Sequence, residues 1–287
     1  SIDKCNLMDL VIVPSNFCKN VIESSAKKYE IPLTTPIEII PQCVEHIKYD
    51  QINSDNSLKE SLDDINEEFC FLSIGEWNLN VKPTQDRKNI EYLIRTFIST
   101  FDNQQVEKPA LILKTHITNY SQTDYDRVYD KIKKICRDYD NPPSIYLIHG
   151  NLNKRQMVDL NFHEKVKCHI YTPRGEGYGR SILQSTLTGK PTFTSNWSGP
   201  TDYIQNRDFL ISGKLTEVGS NTNLFPIGSQ WFEISTLDFS KKLKDVLENY
   251  ELYCDKMKII TNENTEKYKF EEIFKKYKDV INSYISF

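Results

Sequence analysis

Three glycines at alternate positions, Gly175, Gly177 and Gly179, enclose Glu176 and Tyr178 in the stretch Thr172-Pro-Arg-Gly-Glu-Gly-Tyr-Gly-Arg-Ser-Ile-Leu-Gln184. A carboxylate in such a turn can accept hydrogen bonds from hydroxyls or balance a charge that develops beside it. The apolar run from Val166 to Tyr171 suits a buried strand, and Ile182, Leu183 and Leu187 form one stripe on a following helix. Gly189-Lys-Pro closes that helix, Thr192-Phe-Thr begins the next strand, and a second glycine turn follows in Asn196-Trp-Ser-Gly-Pro-Thr-Asp202. A glycine turn that opens a helix after a parallel strand leaves the first amides unpaired at the positive end of the dipole, which suits phosphate. The same glycines serve a tight turn that binds nothing, so on geometry alone both roles stay open.

The wording around these turns is more specific than the glycines. Glu176-Gly-Tyr-Gly, the helix ending in Gly189-Lys-Pro and the run Asn196-Trp-Ser-Gly-Pro-Thr-Asp-Tyr203 resemble the donor-binding half of the retaining GT-B glycosyltransferases of family 4. That family pairs a Glu opening the turn with a second acidic residue eight positions on; this chain has Glu176 and, at the second place, Gln184. The resemblance implies that Glu176 meets the donor sugar and that position 184 meets the nucleotide ribose, where a neutral amide bonds more weakly than a carboxylate. It also implies that Lys88 grips the donor diphosphate, with Arg87 taking over from the Arg that many members carry directly after the glycine, where this chain has Glu76 after Gly75. His149-Gly-Asn-Leu152 would lie under the base through Asn151 and Leu152, and the Gly177-Tyr178-Gly179 turn would offer backbone N–H groups to the leaving diphosphate, beside Ser198 and Gly199 of the second turn. No metal and no cofactor is implied, only a nucleotide-diphosphate sugar as donor.

These residues need a scaffold, and its elements follow an alternating pattern. Strands are expected at 69–74, 110–114, 145–148, 167–171 and 192–195, with helices from Arg87 to Phe101, Thr123 to Arg137 and Lys154 to Leu160. Such alternation predicts an α/β fold, a Rossmann-like parallel sheet of GT-B type, with ligands at the carboxyl ends of its strands. Gly75, His149-Gly-Asn151, Gly175-Glu-Gly and Ser198-Gly-Pro all fall at such ends. Ahead of this domain (68–236), residues 1–48 supply one βαβ unit: a strand at 9–15, a helix from Asn16 to Tyr29 capped by Ser15, and a strand at 37–41. It resembles the end of the family's acceptor-side domain, whose earlier strands are not represented, so a further N-terminal domain or a partner subunit is expected. Residues 49–67 are expected as a polar linker, 213–230 as a long loop, and 237–287 as packing helices at Ser240–Tyr250, Glu251–Thr261 and Phe270–Ser286, the last crossing back to the first domain as in the family.

Composition excludes several classes. A net charge of −4 gives no basic field for nucleic acid, and no apolar run approaches the roughly 18 residues that a membrane span needs. The seven cysteines are scattered without a C-x-x-C pair and the five histidines stand singly, which points to reduced thiols in the cytoplasm and to no metal site. A GT-A enzyme would need a metal-binding Asp-x-Asp. Asp124-Tyr-Asp126 and Asp138-Tyr-Asp140 flank one expected helix and suit its surface instead. A hydrolase would need a second carboxylate opposite Glu176, and the expected partner, Gln184, is an amide. The competing expectation is a binding module or pseudoenzyme subunit that holds a nucleotide sugar without transferring it. The acceptor, whether glycan, lipid or protein, is not specified by these residues.

Overall fold

The computed structural model describes residues 2–44, 57–103, 107–218, 225 and 228–284. It opens with a short helix α1 (Ile2–Cys5), followed by the βαβ unit β1 (Val11–Val13), α2 (Asn16–Lys28) and β2 (Ile37–Ile39), whose two strands pair in parallel. Ser15 caps α2 by accepting a hydrogen bond from the Cys18 amide, as its position in the sequence predicts. Next come α3 (Ser57–Asp63), β3 (Cys70–Glu76), α4 (Ile90–Phe101), β4 (Ala110–His116), α5 (Gln122–Cys136), β5 (Ile145–Ile148), α6 (Lys154–Phe162), β6 (Val166–Ile170), α7 (Arg180–Thr186), β7 (Thr192–Ser195) and β8 (Leu210–Ile211). The last six strands form one parallel sheet in the order β5-β4-β3-β6-β7-β8.

The period of two along these strands assigns the two faces of the sheet. Phe71, Leu111 and Leu113 point into a core with Phe97 and Phe101 of α4, while Cys70, Leu72, Ala110 and Ile112 meet Leu160 of α6 and Leu62 of α3 on the other side. Both faces are covered, as a parallel sheet requires. Chain order reverses between β3 and β6, so the loops leaving these two neighbours diverge and open a crevice at their carboxyl ends.

Several expected boundaries move. α4 begins at Ile90, not Arg87, because Asn89 takes a left-handed conformation (φ 60°) that interrupts the helix. Arg87 and Lys88 therefore stand in the preceding turn. The expected loop at 213–230 is bounded by a hairpin, β9 (Gly213–Glu217) against β10 (Gln230–Ile234), antiparallel; positions 219–224, 226 and 227 lie outside the described residues. The stretch expected as a polar linker contains α3, whose Leu62 is buried together with Ile65; its part at 49–56, like 45–48 of the leading unit, lies outside the described residues. The closing helices are α8 (Thr236–Glu248), α9 (Tyr250–Lys267) and α10 (Phe270–Tyr284), with α8 starting four residues earlier than expected because Ser235 caps it through the Asp238 amide.

The leading unit is tied to the large sheet domain by hydrogen bonds. Ser15 Oγ donates to the Gly177 carbonyl (2.5 Å), Asn16 donates from its amide to Asp202 Oδ2 (2.8 Å), and the Tyr178 hydroxyl donates to the Gln42 carbonyl (3.0 Å). The junction of α9 and α10 also reaches back, with the Val44 amide donating to the Tyr268 carbonyl.

Candidate active site

The loop after β3 is shaped by Asp86. Its carboxylate accepts from the amides of Lys88 (3.2 Å) and Ile90 (2.9 Å), so it caps α4 in place of Asn89 and fixes the turn that carries the two cations. Burial raises the Asp86 carboxyl above the usual range, against the opposing pull of those amide hydrogen bonds. Across the crevice, the Arg174 amide donates to the Arg87 carbonyl (2.8 Å), which ties the end of β6 to the same turn.

Glu176 is held through its backbone on both sides. Its amide donates to Ser198 Oγ (2.9 Å), and its carbonyl accepts from the Gly199 amide (2.9 Å). The two glycine turns thus interlock. A Cβ at Gly199 would come within 2.5 Å of the Gly177 carbonyl oxygen, so the close approach itself demands glycine there. At Gly179 the demand is twofold: φ is +79°, and a Cβ would sit 2.9 Å from the Tyr203 hydroxyl, which donates to the carbonyls of Tyr178 and Gly179.

The nearly buried carboxylate of Glu176 then receives both cations on one oxygen: Arg87 Nη1 lies 2.8 Å and Lys88 Nζ 2.5 Å from Oε1. Two positive groups on one negative group leave a local surplus of one positive charge. Arg87 keeps 44% of its side chain exposed, so this surplus is open to an arriving anion.

Most of the other residues singled out in the sequence also gather here. Gly75 is the last residue but one of β3, where a Cβ would stand 3.5 Å from Ile90 Cδ1 and 3.8 Å from Lys88 Cδ. Leu152 and Gln184 line one cleft of about 230 Å³ together with Arg180 and Met157, while Asn151 beside it is exposed. A second cleft, of about 340 Å³, is lined by Glu176, Arg87, Arg174, Phe17, Trp197 and Trp231. Lys88, Thr172, Glu176 and Ser181 bound a narrow gap that shares Glu176 with the second cleft. Gly177 turns its carbonyl to Ser15 and Cys18 of α2. The Tyr178 side chain is buried under the turn between Tyr203 and Tyr268, so it braces the leading unit.

Three residues of the site were not singled out from the sequence. Asp86 is the cap just described. Arg174, 4% exposed, pairs with Glu233 of β10 (2.7 Å) and lies over the Trp231 ring. Lys114, on β4, donates to the Gly150 carbonyl (2.7 Å) and so steadies the loop that carries Asn151 and Leu152; burial lowers its pKa. A lysine in an otherwise apolar strand, Ala-Leu-Ile-Leu-Lys114, is the signal that could have found it.

No protein-family model matches the chain, and no curated protein sequence does. Its structure, however, superposes on glycosyltransferases. It matches HepE of Anabaena, solved with UDP and glucose, at a TM-score of 0.65 and 13% identity, over 99% of this chain and 68% of that one. A glycosyltransferase from Rickettsia africae matches at 0.66 and 14%, over 96% and 63%. Sucrose-phosphate synthase from Thermosynechococcus elongatus matches at 0.63 and 12%, over 98% and 60%. This chain has the GT-B glycosyltransferase fold. It spans about 60% of the length of the sucrose-phosphate synthase chain. The N-terminal domain of a Candida albicans trehalose-6-phosphate phosphatase also matches, at 0.69 and 13%, over 99% and 60%. Among the described residues of this GT-B chain, no helix is long and apolar enough to cross a membrane.

Proposed function

We propose that this chain binds a nucleoside-diphosphate sugar and transfers the sugar with retention, without a metal, as a family 4-like GT-B enzyme does. The observation that carries the reading is the meeting of Arg87 and Lys88 on one oxygen of Glu176, at the carboxyl ends of β3 and β6. In the reaction the bond between the anomeric carbon and the diphosphate oxygen breaks, and its electron pair leaves on the diphosphate. An acceptor hydroxyl bonds to that carbon and passes its proton to the departing diphosphate oxygen. Lys88 and Arg87 compensate the departing charge from fixed positions, a form of catalysis that needs no reorganisation during the step. Glu176 orients the sugar. The cleft with Gln184 and Leu152 takes the nucleoside, ribose toward the amide and base toward the leucine. The seven thiols, all unpaired, suit the reducing cytoplasm where such donors are made.

The test is nucleoside diphosphate release from UDP-, GDP- and ADP-sugars in EDTA, with simple sugars as acceptors and the product's anomeric configuration read by NMR. Wild type turns over one donor with retention, and Glu176→Gln loses turnover while keeping nucleotide affinity, because the contact acts on the sugar during bond breaking. An absolute requirement for Mn²⁺ or Mg²⁺, or an inverted product, contradicts the proposal. A second reading, a subunit that binds donor without turnover, is favoured by one observation, the neutral Gln184 in the nucleoside cleft. Donor binding with no product under any acceptor supports it.

A further inference from the structure

The 340 Å³ cleft that Glu176 and Arg87 share with Arg174, Phe17, Trp197 and Trp231 shares no lining residue with the cleft assigned to the nucleoside. Two features mark it as built for a ligand. Arg174 is buried and its Nη1 is taken by Glu233, yet its Nε, also buried, meets no acceptor among the described residues. A buried guanidinium N–H without a partner is costly, and here it belongs to a side chain in the wall of an open cleft. The second feature is aromatic. Trp197 is half-buried, with Phe17 edge-on to it at 5.4 Å and 74°, and Phe232 parallel beneath it at 6.3 Å and 8°. The ring is therefore fixed in orientation, its position set from two different parts of the chain.

A fixed indole beside a guanidinium donor and a carboxylate matches the two-sided chemistry of a sugar ring, which has an apolar C–H face and a rim of hydroxyls. A purely aliphatic acceptor would desolvate the Arg87–Glu176 pair and offer no hydrogen bond in exchange. Building on the donor reading above, we infer that this cleft is the acceptor subsite and that the acceptor presents a saccharide ring. Trp197 stacks on the C–H face, Arg87 and Glu176 meet the ring hydroxyls, and the hairpin β9–β10, through Trp231 and Glu233, holds Arg174 in the cleft wall. Because Phe17 stands on α2, the leading unit contributes to this subsite directly.

The experiment applies the whole chain, saturated with UDP, to an array of immobilised oligosaccharides covering the common hexoses and linkages, with UDP binding measured separately by thermal shift. Wild type is expected to label a discrete set of glycans, and Trp197→Ala to lose that signal at least tenfold while its UDP shift stays the same. Phe17→Ala, which leaves the indole on Phe232, is expected to weaken the same glycans less, so a folding defect in the first variant does not decide the matter. UDP binding without any glycan labelled, or equal labelling by both variants and wild type, overturns the inference and leaves the donor reading standing. Labelling that a UDP-sugar abolishes and UDP does not would make the cleft the seat of the donor's own sugar, and also overturns it. Absence of a thermal shift with UDP, GDP and ADP alike instead sinks the donor reading.

Discussion

Lys88 Nζ lies 2.5 Å from Oε1 of Glu176, joining the loop after β3 to the loop after β6 across the point where strand order reverses. Residues 88 positions apart are thus brought together as one charged unit by the adjacency of β3 and β6 in the sheet. The pair is neutral in itself, and Arg87 on the same oxygen leaves the group net positive. The following expectations rest on how that unit is supported.

Asp86 supports it from the backbone. Asp86→Ala removes the acceptor for the Lys88 and Ile90 amides and is expected to lower stability by about 1–2 kcal/mol, the range of a lost helix cap. It should also weaken nucleoside diphosphate binding, since Lys88 loses its anchor. Urea unfolding and a UDP titration on the same variant check both; unchanged values in both would show that the turn holds itself.

The interlock of the glycine turns makes a contrast between two alanine variants. Gly199→Ala forces a Cβ to 2.5 Å from the Gly177 oxygen and 2.7 Å from Tyr178 Cα, both backbone, so the strain cannot relax through a side chain. A loss of roughly 1–3 kcal/mol is expected, with displacement of Glu176. Gly189→Ala meets nothing within 4 Å and suffers only its positive φ of 74°, about 1 kcal/mol. Thermal melts of the two variants should rank in that order, and equal melts would contradict the packing account.

Lys190 provides a pH expectation. Its ammonium donates to the carbonyls of Asn161 (3.1 Å) and His163 (2.6 Å), and burial pushes its pKa down to about 7. In the unfolded chain the lysine holds its proton up to about pH 10.4. Between pH 7 and that value the unfolded state binds more protons, so this residue's contribution to stability grows as pH rises and is lost as pH falls toward 7. The urea midpoint of Lys190→Met relative to wild type should therefore worsen from pH 7 to pH 9; a constant difference would mean that Lys190 is charged in the folded chain throughout.

Much of this architecture was legible because it is periodic. The strands at 70–76, 110–116, 145–148 and 166–170 are apolar runs bounded by turn residues, and their alternation with helices fixes a parallel sheet. What escaped is local or long-range in a way that period does not encode. Asn89 breaks the expected helix start by a left-handed backbone that no neighbouring residue announces. The hairpin β9–β10 hides because Lys214, Thr216 and Glu217 are polar, and its strands are held by pairing with each other across a dozen residues. In the site, Glu176, Lys88 and Arg87 were legible through a resemblance of motif. Arg174 was not, since its role depends on Trp231 and Glu233, which only folding brings to it.

The central claim, that Lys88 and its neighbours on Glu176 form a metal-free seat for a diphosphate, is tested most directly by calorimetry in EDTA. Uridine, guanosine and adenosine and their diphosphates are titrated into wild type and Lys88→Ala. A charge-assisted contact of about 1.5–3 kcal/mol predicts that one diphosphate binds wild type without metal and that Lys88→Ala weakens it roughly ten- to a hundredfold, while the matching nucleoside is unaffected. Binding that appears only with a divalent cation, or equal affinities in wild type and variant, would contradict it.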